Sequence, residues 1–534
     1  MRSILQSGVL PAIVFCAAAL LSGCVHEQKE NTLNGHTVRL DGRGKLLSWV
    51  ANQNGAYHHV LKLATTFLLN DVPTASNGLK LYYTYSYALP NTMAPGDWPH
   101  NPAGLYAMLT DSGLAYWAYS GNPAIMTLVH DVLSYHLDHG MTPVHWHWGG
   151  VPFASSDAGK VKYEGARFGD SNGRGDGVGV IEPDKVGELG LAFLKYYQYS
   201  NEIRFRDAAI RAANVLAAHI RIGDATRSPW PFRVYAETNV VREQYCANVI
   251  APIKLFDALM RLKLGNFAAY QTARQAAWTW MMTYPIQNSA WANYFEDVPI
   301  TENLSNTNQL IAAETARYLM QHPEMDSNWE IHVRSLIAWI EATFGGSHYG
   351  ATTIAEQTLF RFRMGSHTSR YASINAMLFE LTGDLGAKEK ALRSFNWATY
   401  MCGTTGRCID GPEVNRMWWT DGYADYIKHF MAGMGAVPEW APASETHLLR
   451  STSVIRSVRY FATEVSYEAA DASGTEVLRL AFAPRSVTAG GVALPLRHDL
   501  AKQGWTYDRV GGVVRVRHDS GTSIRISGGP QQGK

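Results

Sequence analysis

The sequence predicts a mainly α-helical protein in which a closed ring of six helical hairpins is followed by a small antiparallel β domain. Two observations predict the ring. A pair of helices, inner then outer, recurs about every sixty residues, and the connections between pairs are much longer than the turns within them. A third observation predicts the β domain, because after Trp440 the helical periodicity gives way to short β-branched runs separated by glycine pairs.

The clearest hairpin lies between Gly175 and Ile220. Its first helix begins near Lys185 and is apolar or small on nearly every side, which is typical of a helix buried within a larger assembly. Ser200 and Asn201 break this helix. The second helix carries polar residues at spacings of three and four, so one apolar face remains to cover the first helix.

Four further copies of this hairpin occupy residues 103–139, 245–283, 307–344 and 370–401. Single helical segments at residues 57–69 and 421–434 precede and follow the five copies. If these two segments pair with each other, about twelve helices form six hairpins and the array closes into a ring. The long connections between hairpins then all emerge at one end of the ring.

The N-terminus predicts export. Residues 1–23 read as a signal peptide, because Arg2 supplies the positive start and residues 9–21 form an apolar run too short to span a membrane comfortably. The run ends in Leu-Ser-Gly-Cys24, which resembles the bacterial lipobox, where the cysteine becomes the lipidated N-terminus. The resemblance implies a lipid-anchored protein of the bacterial cell envelope that faces the periplasm or the exterior. The alternative is an ordinary cleaved signal in which Cys24 is incidental.

The chain is long enough for more than one domain, since 534 residues exceed what a single core normally uses. We expect a lipidated N-terminus and tether over residues 24–44, the helical ring over residues 45–440 and a β-sandwich-like domain over residues 441–534. The charges nearly balance, with 47 Lys and Arg against 46 Asp and Glu. A nucleic-acid partner is therefore not expected, because it requires a basic surface.

Two cysteines close a short loop, Cys402-Gly-Thr-Thr-Gly-Arg-Cys408. Disulfides persist in exported proteins, so this spacing predicts a Cys402–Cys408 bridge, with two free thiols as the alternative. A zinc pair would need further ligands nearby, and none follows at suitable spacing. Cys246 is expected to be a buried small residue.

The long connections between hairpins are rich in aromatic and acidic residues, and long connections inside a compact domain are usually functional. Inner and outer helix pairs with such loops at one rim resemble the (α/α)6 toroid of six-hairpin glycosidases, or alternatively of toroid polysaccharide lyases. The resemblance covers residues 45–440 by architecture and matches no family signature residue by residue. It implies an enzyme that acts on poly- or oligosaccharides.

Glycoside hydrolysis needs two carboxyl groups, one protonated and one ionised. Acidic residues in the connections are the candidates for both roles: Glu182, Asp184, Glu296, Asp297 and Asp421. Asp184 and Asp421 also stand directly at predicted helix starts, so each is equally explained as a helix N-cap.

The alternative chemistry is β-elimination on a uronate polymer. Elimination needs a base, a group that neutralises the uronate carboxylate and often an acid. His367, Arg370 and Tyr371 are of these types and open an inner helix, where positions 367 and 371 can share a face. The same residues could instead only fix the preceding loop.

Sugar rings stack on aromatic side chains, so tryptophans in the connections are candidates for substrate binding. They are Trp148, Trp230, Trp291, Trp418 and Trp419. The alternative is that some of them only cover the ring. His145 and His147 lack a fixed third ligand, so we expect neither a metal nor a cofactor.

Taken together, the sequence predicts an exported, lipid-anchored glycoside hydrolase whose partners are a carbohydrate substrate and, through Cys24, the membrane. A polysaccharide lyase is the second hypothesis. A non-catalytic glycan-binding lipoprotein is the third, and it would tolerate the loss of every carboxylate at the rim.

Overall fold

The computed structural model describes residues 32–167, 175–292 and 306–530. Within these residues the first 440 positions are mainly helical and the last ninety form antiparallel sheets. The helices are α1 (Ala56–Thr66), α2 (Pro102–Ser120), α3 (Ala124–His139), α4 (Pro183–Ser200), α5 (Ile203–Ala218), α6 (Ile250–Arg261), α7 (Phe267–Thr283), the one-turn α8 (Pro285–Asn288), α9 (Gln309–Gln321), α10 (Trp329–Phe344), α11 (Gly365–Thr382), α12 (Leu385–Thr399) and α13 (Tyr426–Ala436).

The helical part also contains short strands. They are β1 (Thr32–Leu33), β2 (His36–Thr37), β3 (Tyr87–Ala88), β4 (Val180–Ile181), β5 (Arg233–Tyr235), β6 (Val241–Glu243), β7 (Gly345–His348), β8 (Ala351–Ile354) and β9 (Met417–Trp418). All of them pair antiparallel within the connections between helices.

The helices form the predicted closed ring, so the (α/α)6 toroid is confirmed. Helices α2, α4, α6, α9, α11 and α13 form the inner layer, and α3, α5, α7, α10, α12 and α1 cover them. Short turns join the inner helices α2, α4 and α11 to their outer partners. Gly121, Asn201 and Gly383 end α2, α4 and α11 with left-handed φ angles of 71°, 62° and 76°, which reverse the chain at once.

The ring closes through its first helix. The ring of Tyr57 in α1 lies 5.4 Å from the rings of both Phe395 in α12 and Phe430 in α13. The Tyr57 hydroxyl donates a hydrogen bond to the side chain of Asn396 at 3.0 Å. Helix α1 therefore pairs with α13 to complete the sixth hairpin, although almost the whole ring separates them in sequence.

The inner helices meet at the axis of the ring through charged side chains. Lys195 of α4 lies 2.6 Å from Asp111 of α2, and Lys254 of α6 lies 3.2 Å from Glu314 of α9. Burial raises the pKa of the Glu314 carboxyl, but Arg317, Lys254 and further cations outweigh it and hold the pKa well below its usual range.

The same network continues around the ring. Arg370 of α11 forms a buried ion pair with Asp425, which directly precedes α13, and Lys428 of α13 lies 3.1 Å from the same carboxylate. Burial raises the pKa of Asp425, but Arg370, His429 and Lys428 together hold it well below its usual range. Every inner helix thus contributes charge to one connected axial network.

The C-terminal strands form two antiparallel sheets, so the predicted antiparallel β domain is confirmed, and we call the two sheets the sandwich. They are β10 (His447–Ser451), β11 (Ile455–Phe461), β12 (Glu464–Ala469), β13 (Gly474–Arg479), β14 (Phe482–Ala489), β15 (Val492–Ala493), β16 (Gly504–Asp508), β17 (Val513–His518) and β18 (Ser523–Pro530). One sheet has the order β10-β13-β17-β16 and the other β11-β12-β18-β14-β15, all antiparallel. Alternating apolar residues such as Leu478, Val514 and Ile526 are fully buried, as expected of facing sheets.

The sandwich covers the end of the ring at which the inner helices finish. Tyr460 of β11 donates its hydroxyl hydrogen to the Ala118 carbonyl of α2, and Arg456 donates to the Gln198 carbonyl of α4 at 2.8 Å. These donors satisfy carbonyl groups that a helix leaves without intrahelical partners in its last turn. Because the connections between hairpins lie at the opposite end, the sandwich is remote from them.

The described N-terminal residues pack on the ring. Leu33 and His36 are buried, the Asn34 side chain donates to the Tyr400 carbonyl at 2.9 Å, and the Trp49 indole donates to the Thr399 carbonyl at 2.7 Å. Part of the segment predicted to be a tether, residues 32–44, therefore lies against the end of α12. The predicted signal peptide, residues 1–23, and Cys24 lie outside the described residues. No helix in the described ranges is both long and apolar enough to cross a membrane.

The two cysteines of the short loop are both buried and are thiols in this structure. Their backbones face each other across an antiparallel bridge. The predicted disulfide is therefore not formed here, although the chain brings the two residues opposite each other.

We predict that the axial network is a main determinant of stability. Replacing Glu314 by Gln keeps the shape of the side chain but leaves Lys254, Arg317 and Arg370 without part of their countercharge. The free energy of unfolding should fall by about 3–5 kcal/mol, as measured by denaturant titration followed by tryptophan fluorescence. The matched control Glu330→Gln breaks an exposed pair with Arg334 and should cost about 1 kcal/mol or less. Equal losses in both variants would contradict this assignment.

Candidate active site

A cavity of about 520 Å³ opens at the end of the ring where the inner helices begin. Four of the six inner helices, α2, α4, α9 and α11, contribute residues near their starts to it, and the connections before α2, α11 and α13 build its walls. We group the lining residues into two surfaces. The polar group, called the floor, consists of Lys185, His367, Arg370, Asp410 and Asp421. The aromatic group, called the wall, consists of Trp98, Phe360, Phe362 and Trp418. This is the end that the sequence predicted to be functional.

Two carboxyl groups share the floor. Asp410 is buried, and its Oδ2 has no hydrogen-bond partner within the described residues. Burial, followed by the negative charge of Asp421, raises the pKa of the Asp410 carboxyl well above its usual range. Both causes favour the protonated form of Asp410 beside a second carboxyl group.

The backbone around Asp410 fixes its position. The Trp418 N–H donates to Asp410 Oδ1 at 3.2 Å, and the Asp410 N–H donates to the Arg416 carbonyl at 3.0 Å, which closes the loop between them. The next residue is Gly411, and a Cβ atom added to it would lie 1.8 Å from the Arg363 carbonyl oxygen. Only glycine permits this close approach, so the loop that carries Asp410 depends on it.

One donor bonds to Asp421 and a second lies nearby. The Ser366 hydroxyl donates to Asp421 Oδ1 at 2.9 Å, and Nε2 of His367 lies 3.8 Å from the same oxygen, beyond hydrogen-bond distance. A donor to a carboxyl group favours its ionised form. Burial and a neighbouring negative charge act on Asp410, whose hydrogen-bond donor is the Trp418 N–H, so the environments of the two carboxyl groups differ.

The protonation of His367 follows from its contacts. Its Nδ1 accepts hydrogen bonds from the Arg370 guanidinium at 2.9 Å and from the Gln309 amide at 2.7 Å. A guanidinium only donates, so Nδ1 is the bare nitrogen and Nε2 carries the proton. Burial, together with Arg370, lowers the pKa of His367 to about 3. His367 is therefore neutral and presents an N–H to Asp421 and the cavity.

This arrangement does not suit a metal ion. The ligand atoms of His367, Asp421 and Asp425 lie within 4.8 Å of one another. However, the nitrogen of His367 that faces the two carboxylates carries its proton, and Asp425 is already paired with Arg370 and Lys428. A metal ligand needs a free lone pair, so the cluster fits acid–base chemistry better than metal binding.

The aromatic wall stands above the floor. The ring of Trp418 lies 5.1 Å from that of Tyr87 and 5.7 Å from that of Trp98, and the guanidinium of Arg416 lies over both Tyr87 and Trp98. Trp98 and Trp418 are partly exposed to the cavity. Such a surface can stack on the apolar face of a sugar ring.

A buried polar network adjoins the floor on the side of α4. Lys185 is only 2% exposed, and its Nζ lies 3.3 Å from Glu188. The Asn248 amide donates to both Glu188 and Asp184 at 3.0 Å. Burial raises the pKa of Asp184 to about 7, although Lys185 opposes the shift. Asp184, a predicted catalytic residue, therefore lies behind Lys185 and does not line the cavity.

Other predicted residues lie elsewhere. Glu182 is buried 3.4 Å from Arg233, which also lies 3.5 Å from Glu243, so these charges tie β4 to β5 and β6. Tyr371 points outward, and its hydroxyl donates to Glu341 of α10 at 2.6 Å. The helical turn that brings His367 and Arg370 to the cavity turns Tyr371 away from it. Glu296 and Asp297 lie outside the described residues.

Four of the five predicted substrate-binding tryptophans belong to the core. Trp148 stacks on His219, Trp230 donates to the Leu216 carbonyl at 2.9 Å, and both are buried. Trp291 and Trp419 are also buried. Only Trp418 of this set lines the cavity, because its backbone lies in β9, which pairs with β3 at the rim.

Sequence reasoning missed Asp410 and Lys185 as cavity residues. Asp410 follows Cys-Ile and precedes Gly411, Lys185 stands between Asp184 and Val186, and neither belongs to a motif. A charged residue next to a long connection was the available signal. Nothing in the sequence placed Trp98 beside Trp418.

No model of a known protein family matches the sequence, and no curated protein matches it. Solved structures do share its fold. A cellobiose 2-epimerase from Spirochaeta thermophila superposes with a TM-score of 0.53 at 11% identity, over 72% of this chain and 96% of that chain. A sugar epimerase from a ruminal bacterium gives 0.52 at 8% identity, over 71% and 98%. A D-mannose isomerase gives 0.50 at 12% identity, over 72% and 96%. At such identities the similarity shows the toroidal fold alone.

The protonated state of Asp410 predicts a pH-dependent cost in stability. Its folded pKa lies above the unfolded value of 3.8, so its favourable contribution is complete below pH 3.8 and is lost as pH rises through the folded pKa. Asp410→Asn should therefore be more stable than the wild type at neutral pH, and the difference should vanish toward pH 3.8. Thermal unfolding from pH 4 to pH 8 measures this. Asp207→Asn, at an exposed site, is the control, and a less stable Asp410→Asn at neutral pH would refute the assignment.

Proposed function

We propose that the protein is a glycoside hydrolase acting on poly- or oligosaccharides, with Asp410 as the general acid and Asp421 as its ionised partner. One observation carries the proposal, namely two carboxyl groups in one cavity whose environments differ. Burial and the charge of Asp421 raise the pKa of Asp410, whereas Ser366 and His367 direct donors at Asp421. Glycoside hydrolysis requires such a pair, one carboxyl to protonate the leaving oxygen and one to act in its ionised form.

The two roles follow from the contacts. The unpartnered Oδ2 of Asp410 can donate its proton to a glycosidic oxygen in the cavity. Asp421 then either orients a water molecule or attacks the anomeric carbon itself. In both cases the Ser366 hydroxyl and the Nε2–H of His367 stabilise its negative charge before the reaction and help to set its orientation.

The substrate class is supported by the wall of the cavity. Trp98, Trp418, Phe360 and Phe362 present aromatic surface opposite a polar floor, which is the combination that sugars need. The toroidal neighbours carry names of sugar epimerases and a sugar isomerase, which agrees with a carbohydrate substrate.

β-Elimination is less well supported. Nδ1 of His367 is occupied by Arg370 and Gln309, and its Nε2 is protonated, so His367 offers no base to a substrate in the cavity. Tyr371 is bonded to Glu341 and offers no acid there. Arg370 is engaged in the ion pair with Asp425 and in the hydrogen bond to His367.

The test is isosteric removal of each carboxyl group. The wild type incubated with a panel of neutral and uronate glycans should release new reducing ends without the near-ultraviolet absorbance of an unsaturated uronide. Asp410→Asn and Asp421→Asn should each lower kcat by about 10²–10⁴-fold, because each variant removes one half of the acid–base pair. For Asp410 the loss should fall on kcat more than on KM.

The matched control is Asp176→Asn. Asp176 is also buried with a raised pKa, but it accepts hydrogen bonds from Ser155 and the Ala166 N–H away from the cavity, so activity should stay within a few-fold of wild type. Undiminished hydrolysis by Asp410→Asn would remove the proposed acid. An absorbing product would replace hydrolysis by elimination, and glycan binding with no product in any variant would indicate a binding protein.

We also propose that the protein is an exported lipoprotein anchored through Cys24, on the strength of the signal-like residues 1–23 and the lipobox-like sequence. In a bacterial host, wild-type protein should fractionate with membranes and carry a lipid-modified N-terminal cysteine by mass spectrometry. Cys24→Ser should abolish both. Membrane association that survives Cys24→Ser would mean that the anchor is something else.

A further inference from the structure

A second polar cluster lies far from the cavity, where the ring meets the sandwich. His58 belongs to α1, His447 begins β10, and Glu445 precedes it in the linker between the two domains. The ligand atoms of the three side chains all lie within 4.8 Å of one another. Tyr119, at the end of α2, contacts both histidines.

The orientation of His447 leaves a lone pair inside the cluster. Its Nδ1 lies 2.8 Å from the Tyr119 carbonyl oxygen, which can only accept, so Nδ1 carries the proton and Nε2 is bare. His447 is 6% exposed, and Nε2 has no hydrogen-bond partner within the described residues. This bare nitrogen lies 3.4 Å from Glu445 Oε2. A buried lone pair facing a carboxylate is unfavourable unless a cation lies between them.

His58 repeats this geometry. Its Nδ1 lies 2.8 Å from the Tyr119 hydroxyl, and its Nε2 lies 3.7 Å from the same Glu445 oxygen. Two imidazole nitrogens therefore point at one carboxylate oxygen. The edges of a tetrahedron with metal–ligand bonds of about 2.1 Å measure about 3.4 Å, close to both separations.

Burial acts on both histidines in the direction that metal binding needs. It lowers the pKa of His447, although the Tyr119 carbonyl opposes the shift. It also lowers the pKa of His58, against Glu445, and Lys62 lowers it further. Neutral imidazole is the form that binds metal.

We propose that His58, Glu445 and His447 form a binding site for a divalent late first-row transition metal ion, with Zn²⁺ as the first choice. Two imidazole nitrogens and one carboxylate oxygen are ligands that zinc prefers, and water completes the tetrahedron on the exposed side of Glu445. The bond from His447 Nδ1 to the Tyr119 carbonyl is the outer contact that fixes a metal-binding histidine in its tautomer.

The cluster differs from the one in the cavity in the state of its histidine. In His367 the nitrogen facing the carboxylates carries the proton because Arg370 occupies the other nitrogen. In His447 the nitrogen facing the carboxylate is bare because a carbonyl occupies the other. Metal is therefore expected at the junction and not in the cavity.

Bound metal would join the first helix of the ring to the first strand of the sandwich. Helix α1 closes the ring, and β10 lies against the end of α2. One ion would therefore tie α1 to the start of β10, which is distant from it in sequence, next to the end of α2. The site is thus expected to be structural, and its occupancy should change the stability of the fold more than the chemistry of the cavity.

The test uses the purified full chain after treatment with a chelator. Titration with Zn²⁺, followed by calorimetry, should give one ion per chain with micromolar or tighter affinity, and Zn²⁺ should raise the thermal unfolding midpoint. Co²⁺ should give the visible absorption of a tetrahedral site. Glu445→Gln should weaken Zn²⁺ binding at least about tenfold and abolish the shift of the midpoint.

The control variant is Glu439→Gln. Its side chain is 54% exposed, as against 53% for Glu445, it lies in the same linker, and it pairs with Lys388 instead of a histidine. It should bind Zn²⁺ as the wild type does. Equal affinity in wild type and Glu445→Gln, or no binding to the wild type at micromolar Zn²⁺, would overturn the proposal. Because Glu445 is exposed, its replacement should leave the fold intact, and His58→Gln provides an independent ligand variant.

Discussion

The ring depends on the charged network along its axis. Six inner helices surround a space that apolar side chains alone do not fill. Ion pairs meet there, from the fully buried Arg370–Asp425 pair to the partly exposed Lys195–Asp111 pair, with Glu314 and Lys254 between these extremes. Burying such pairs costs desolvation free energy, and removing one partner leaves the other charge uncompensated and destabilises the fold. The pairs therefore specify which helices lie opposite each other. They also lie directly beneath the cavity, because Arg370 belongs to both.

That shared residue links stability to the site. Arg370 holds Asp425 on one side and Nδ1 of His367 on the other, which sets the tautomer of His367 and directs an N–H toward Asp421. Asp410 accepts one hydrogen bond, from the Trp418 N–H, and burial together with the charge of Asp421 raises its pKa well above its usual range. A carboxyl group kept protonated in this way costs stability at neutral pH, and that cost is what a general acid requires.

The two ends of the ring have separate roles. The starts of the inner helices and the long connections form the cavity, whereas the ends of the inner helices receive donors from the sandwich, such as Tyr460, Arg456 and His447. The sandwich therefore supports the ring from the side opposite the proposed chemistry. The proposed metal site lies at this supporting end.

The sequence by itself determined the repeat of helical hairpins, the closure of the ring by its first and last helices and the change to β structure after Trp440, because helix and strand periodicities are local properties of the chain. It also indicated the rim at which the cavity opens. It did not identify Asp410, and it assigned Tyr371 and most of the loop tryptophans to the substrate. Whether Trp148 stacks in the core, or Asp410 lies beside Asp421, depends on which segments the ring brings together. Burial and pairing are set by contacts between residues distant in sequence, so only the tertiary structure decided them.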